Sequence, residues 1–293
     1  MKLKLTPECI SCLLRQVLEA CEASGSDPTV QYNALREAIA CLNSLDLDQS
    51  DHVTVGSDLH QIVRQVTGNP DPYLEIKKLS NRVALDWLSE HAGTVRNPPF
   101  LQALSIAAGG NIIDYGAMKT TLTPQELVAK AMRGEIGSRK ATEVRRLVAR
   151  SRQVLYLCDN AGEVAFDKVL VSAIRNLGPE VTVAVRGGPV MNDATIEDAY
   201  EVEMTKLART ITTGSALSGI VLRDSSSDFL QRFEGSDLII SKGQGNLESL
   251  INIRRKPTTV YILRVKCRPI ASFLKSQIGS TEIVIQREQP SRP

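Results

Sequence analysis

The second half of this chain alternates short, continuously apolar strands with amphipathic segments, and this pattern constrains the fold more than anything else in the 293 residues. Val154 to Cys158, Val181 to Val185, Thr210 to Thr213, Leu238 to Ser241, Val260 to Val265 and Glu282 to Ile285 read as strands. Strands with no polar alternation are buried on both faces, and helices between them supply the cover. The expectation is therefore a Rossmann-like, three-layer α/β/α domain with a mostly parallel sheet and right-handed crossovers. It is placed over residues 151–293.

Residues 1–150 carry helix signals and hardly any strand signals, so an N-terminal all-α domain is expected there. Pro7 follows Thr6 at a first-turn position, and Ile10, Leu13, Leu14 and Val17 recur at helical spacing. Asp27-Pro28 opens a second helix running to Leu45, and Thr123-Pro124-Gln125-Glu126 has the form of a capping box.

Composition excludes several classes. A formal charge of +2 without a long basic block gives little support to nucleic-acid binding. The densest basic cluster, Arg139, Lys140, Arg145, Arg146 and Arg150, reads as a solvated helix face. No segment approaches the length of a membrane span and the amino terminus has no signal-like apolar run, so a cytoplasmic location is expected. Six cysteines are too sparse for a disulfide scaffold and are expected as thiols or metal ligands.

Ligands of open α/β sheets sit outside the carboxyl ends of the strands, where this chain carries reactive groups. The first strand ends in Cys158-Asp159-Asn160-Ala161-Gly162-Glu163. A pyrophosphate-binding turn would be glycine-rich and uncharged, and Asp159 would repel such a ligand unless a cation lay between them. Asp159, Asn160 and Glu163 offer oxygen, the donor that Mg²⁺ and Mn²⁺ prefer; equally, Asp159 or Asn160 could cap the following helix. Asp193, after the second strand, could cap a helix or complete an oxygen cluster at the same sheet edge. Lys242 supplies a fixed charge after the fourth strand, with Gly243 and Gly245 able to bring backbone amides to an anion. Asn111 and Asp114 are polar residues within an apolar stretch.

These blocks together resemble a known family. Cys9-Ile10-Ser11-Cys12, Gly68-Asn69-Pro70-Asp71-Pro72-Tyr73, Gly110-Asn111-Ile112-Ile113-Asp114, Asp159 to Glu163, Asn192-Asp193 and Lys242-Gly243-Gln244-Gly245-Asn246 occur in the order found in metal-dependent damage-control phosphatases of the bacterial and archaeal branch. The resemblance implies a divalent ion (Mg, Mn, Co or Ni) held by Asp159, Asn160 and Asp193. It implies phosphate binding by Lys242 with Gly243 and Gly245, and a site lined by Asn111, Asp114 and Glu163. The implied reaction is hydrolysis of small phosphorylated metabolites, with Asp159, Asp193 and Lys242 at the chemistry; attack by water and attack by a carboxylate both stay open. Two other classes remain: a non-catalytic protein that binds metal or phosphometabolite, and a transferase using a nucleotide-derived cofactor.

Cys9 and Cys12 share a helix face, and Cys267 follows the fifth strand. The three could converge on a metal or redox pair, or be buried small apolar groups. His52, His60 and His91 lack metal spacing and read as structural or surface residues.

Overall fold

The computed structural model describes residues 3–47, 49–110, 136–253 and 256–288. Asn111, Asp114 and the capping box expected at Thr123 to Glu126 lie outside them. Seven described helices precede the first strand: α1 (Pro7–Ala23), α2 (Pro28–Ser44), α3 (His52–Thr67), α4 (Leu74–Glu90), α5 (Ala92–Val95), α6 (Phe100–Gly110) and α7 (Ser138–Arg150). Asp27 caps α2 by accepting from the backbone N–H groups of Thr29 and Val30, and Asp51 caps α3 through Thr54. At the start of α1 a thiol takes the usual role of a glutamate, since Cys9 Sγ accepts from Thr6 N at 3.5 Å.

The six expected strands all form: β1 (Gln153–Leu157), β2 (Glu180–Val185), β3 (Arg209–Thr212), β4 (Leu238–Lys242), β5 (Thr258–Arg264) and β6 (Thr281–Gln286). They make one sheet in the order β3-β2-β1-β4-β5-β6, parallel except for β6, which runs antiparallel along β5. Between them lie α8 (Glu163–Arg175), α9 (Ile196–Glu201), α10 (Met204–Leu207), α11 (Ser227–Gly235), α12 (Gln244–Leu250) and α13 (Arg268–Leu274).

Strand parity divides the apolar side chains between two cores. Val154, Tyr156, Val183, Leu238, Ile240 and Ile262 face one layer, where they meet Phe166 and Leu170 of α8 and also Leu104 and Ala107 of α6 and Val144 and Val148 of α7. Leu155, Leu157, Ile239 and Tyr261 face the other, against Phe229 and Phe233 of α11 and Leu247 of α12. Helices from the first half of the chain thus complete one layer of the sheet domain, while α1, α2 and α3 build a separate core around Leu13, Val17, Ala34, Leu59 and Val63. The basic residues of α7 are exposed and Ala141, Val144 and Val148 are buried beneath them, so that cluster is a solvated face. Among the described residues no helix is long and apolar enough to cross a membrane.

Candidate active site at the carboxyl edge of the sheet

Parallel pairing of β1 with β2 aligns Leu157 with Ala184, so the loops that follow both strands leave at the same edge. Their backbones then join. Ala194 N donates to Asp159 O at 2.8 Å, Ala161 N donates to Asn192 O at 2.9 Å, and Asn160 and Asp193 form an antiparallel bridge. This zipper brings Asp159, Asn160 and Asp193, which are 6%, 3% and 4% exposed, to the wall of one cavity of about 910 Å³. The three residues expected to share a site thus line one cavity, with their two loops joined by the bridge.

Arg186, the residue after the last of β2, lies beneath the two acids. Its Nε donates to Asp193 Oδ2 at 2.6 Å, its Nη1 donates to Asn246 Oδ1 at 2.9 Å, and its Nη2 stands 3.9 Å from Asp159 Oδ1. A buried guanidinium offsets part of the repulsion between carboxylates that burial would otherwise amplify. Nη2 makes no hydrogen bond among the described residues, an uncommon state for a buried donor. Asn246 in turn donates to Cys158 O and Lys242 O, tying the β1 and β4 ends together. Sequence reasoning missed Arg186, although a cation directly after an apolar strand was a signal of the same kind as Asp159.

Lys242 and Glu163 require a correction. Both are fully buried and neither lines the cavity. The ammonium of Lys242 bonds Glu163, Asp167 Oδ1 at 2.7 Å and Ala107 O at 2.9 Å, which uses all three of its donors. The expected phosphate grip is therefore an internal brace, because an ammonium removed from water needs opposite charge around it more than a strand end needs a ligand. Parity underlies the placement, since Lys242 shares the face of Leu238 and Ile240 and points to α8. Asp167, one helical turn after Glu163, was not anticipated; it also accepts from Tyr156 Oη at 2.7 Å. Burial pushes the Asp167 carboxyl up despite the lysine beside it, and the two acids raise Lys242.

The glycines of the same block also differ from expectation. Gly243 N donates to Ile262 O, so that amide belongs to the sheet. Gly245 does reach the cavity wall, packed against Ser218 O.

Behind the first loop, Asn81 of α4 accepts from Gly162 N at 2.6 Å and donates to Asp198 and Glu201. Lys77 joins Asp198 to Asp71, whose Oδ2 lies 2.7 Å away. The Gly68 to Tyr73 block thus belongs to the scaffold that holds the acid loop.

Cys9, Cys12 and Cys267 are free thiols lining the same cavity as the acids. Among the described residues no three His, Cys, Asp or Glu side chains are arranged to hold a metal ion, so the metal half of the thiol expectation gains no support. His52, read as a structural or surface residue, lines the cavity, and its Nδ1 lies 3.1 Å from Glu248 Oε2. His60 is buried and His91 stacks on Trp87, both as expected.

The donor set at 159, 160 and 193 suits a hard divalent cation. Two carboxylates and an amide offer oxygen, and the Arg186 guanidinium offsets part of the carboxylate charge.

Comparison with known proteins agrees with this architecture. A crystal structure of a DUF89 family protein from Pyrococcus horikoshii superposes with a TM-score of 0.85 at 30% identity, covering 98% of this chain and 99% of that one. The damage-control phosphatase PH1575 of that organism is 30% identical, with 95% of this chain and 96% of the relative aligned. A damage-control phosphatase of Archaeoglobus fulgidus is also 30% identical, over 94% of this chain and 97% of its own. A family model described as the damage-control phosphatase ARMT1-like domain matches residues 5–281. With that span matched and relatives of this identity aligned along their whole length, the chain belongs to the damage-control phosphatase ARMT1-like family.

Proposed function

We propose that this protein is a divalent-metal-dependent phosphatase of small phosphorylated metabolites, with Asp159, Asn160 and Asp193 holding the ion. The observation that carries the reading is the bridge between Asn160 and Asp193, which turns two loops into one oxygen-lined corner of a cavity. A volume of about 910 Å³ suits a small metabolite. Lys4, Arg15, Arg264, Lys266 and Arg268 in its wall supply charge complementary to a phosphate ester.

When bound, a divalent cation supplies Lewis-acid polarisation of phosphoryl oxygens. The chain supplies position. Arg186 fixes the Asp193 carboxylate, the backbone zipper fixes Asp159, and Lys242 anchors α8 under the loop through Glu163 and Asp167. Such preorganisation lets charge develop in the transition state without the site having to reorganise.

The test is a phosphomonoester screen on purified protein with added Mg²⁺, Mn²⁺, Co²⁺ or Ni²⁺, beside Asp159→Ala and Asp193→Asn. Expected is turnover that a chelator removes and that either substitution lowers by roughly 10² or more. Phosphoester binding without turnover under every metal would favour the non-catalytic binding protein instead. Full activity in both variants would remove these acids from the site.

A further inference from the structure

We propose that the substrate of this cavity carries two anionic groups: a phosphoryl group at the corner of Asp159 and Asp193, and a second phosphate or carboxylate held at the end of β5. That assignment rests on the proposed metal site at Asp159, Asn160 and Asp193. The cations at the carboxyl edge of the sheet are of two kinds. Arg186 after β2 is engaged by Asp193 and Asn246, and Lys242 of β4 by Glu163, Asp167 and Ala107 O; neither belongs to the cavity wall. Arg264 and Lys266, at and just beyond the end of β5, are half-buried and do line it. Arg268 from the first turn of α13 and Arg15 from α1 join them in the wall.

Sheet topology sets the separation of the two ends. β5 runs parallel to β4 and β4 to β1, so Arg264 and Lys266 leave the sheet at the same edge as Asp159. Only β4 stands between β1 and β5, which puts their ends two strand spacings or about 10 Å apart, and β2 lies one spacing further, about 14 Å from β5. A single phosphoryl group at the acid corner cannot touch both ends. Gln244 and Gly245, which follow β4 between them, bring no charge to the wall.

The basic loop is held in place from two sides. Lys266 N donates to Gln244 Oε1 at 3.2 Å, and Gln244 Nε2 donates to Glu248 Oε1 at 2.9 Å, which fastens the loop to α12. Arg268 Nε lies 3.1 Å from Glu8 Oε2, which ties it to α1. The acids of the wall outside the corner are engaged: Glu8 by Arg268, Glu248 by His52, and Asp51 by the amide of Thr54. One sheet edge therefore presents an acidic end and a basic end to the same cavity. Guanidinium forks and an ammonium together suit the oxygens of a phosphate or a carboxylate. A monoester with an uncharged tail would occupy the acidic end and leave the basic end to water.

The experiment offers the intact protein, loaded with Mg²⁺ or Mn²⁺, four probes with one alkyl spacer: the monophosphate of hexanediol, its bisphosphate, the phosphate ester of hydroxyhexanoate, and aminohexyl phosphate. Affinity is read by calorimetry, and as kcat/KM where a probe is turned over. Expected is a preference of about tenfold or more for the bisphosphate or the carboxylate-ended ester over the monophosphate, beyond the statistical advantage of two equal ends, with aminohexyl phosphate weakest. Whichever of the two is preferred identifies the second group. Arg264→Gln and Lys266→Gln should each shrink the preference severalfold. The proposal is overturned if neither two-anion probe exceeds the monophosphate, if no probe binds, or if both variants keep the full preference. The comparison of probes on the unaltered protein needs no variant to fold. Phosphate release measured in the same samples tests hydrolysis separately: preference without release removes the phosphatase and leaves the two-anion site, and release without preference does the reverse.

Discussion

Gly243 leaves the space that the Asp159 carboxylate occupies: a β-carbon built on Gly243 would stand 2.0 Å from the carboxyl carbon of Asp159. Its φ of +82° and ψ of 166° lie in a region that residues with side chains hardly visit. The Lys-Gly-Gln-Gly-Asn turn therefore serves the acid loop by what it lacks. Gly243→Ala should cost about 1–3 kcal/mol in strain and displace Asp159. A urea titration together with turnover under saturating metal would show both effects, and unchanged activity would mean that Asp159 is free to move.

Arg186 is the counter-charge under the acids. Arg186→Met keeps most of the side-chain volume but removes the guanidinium from which buried Asp193 accepts, at a cost of about 3–5 kcal/mol. Added Mg²⁺ or Mn²⁺ should recover part of the loss in the thermal midpoint if the acids hold a cation, and none of it if they do not.

Lys242→Met separates a brace from a phosphate contact. Removing the ammonium from which Glu163 and Asp167 both accept in the core should destabilise the protein by about 3–5 kcal/mol. A phosphate contact predicts a raised KM with stability unchanged. Chemical denaturation and steady-state kinetics on the same variant distinguish the two.

His60 makes stability depend on pH. It is buried, its Nε2 has no hydrogen-bond partner among the described residues, and burial lowers it from 6.5 to about 4. Above 6.5 the imidazole is neutral whether the chain is folded or not. As pH falls from 6.5 towards 4, the unfolded chain takes up a proton that the folded one refuses, so stability is lost across that window by roughly 3 kcal/mol. His60→Leu should flatten this part of a urea-midpoint profile between neutral pH and about 4.5.

What the sequence by itself determined is the layered sheet and the edge at which Asp159 and Asp193 meet. Six apolar strands alternating with helices admit few other folds, and Asp159 and Asp193 follow adjacent strands of one parallel sheet. Periodicity is local, and local information suffices for both conclusions. Only the tertiary structure decided which charges face the cavity and which face each other. Lys242 looks like a ligand on paper, and strand parity could have turned it inward, but its partners Glu163 and Asp167 lie 79 and 75 residues away. His52 and Glu248 likewise meet from two helices with no shared spacing, so no reading along the chain could pair them. A buried charge is defined by what surrounds it, and that surround exists only once distant segments have packed.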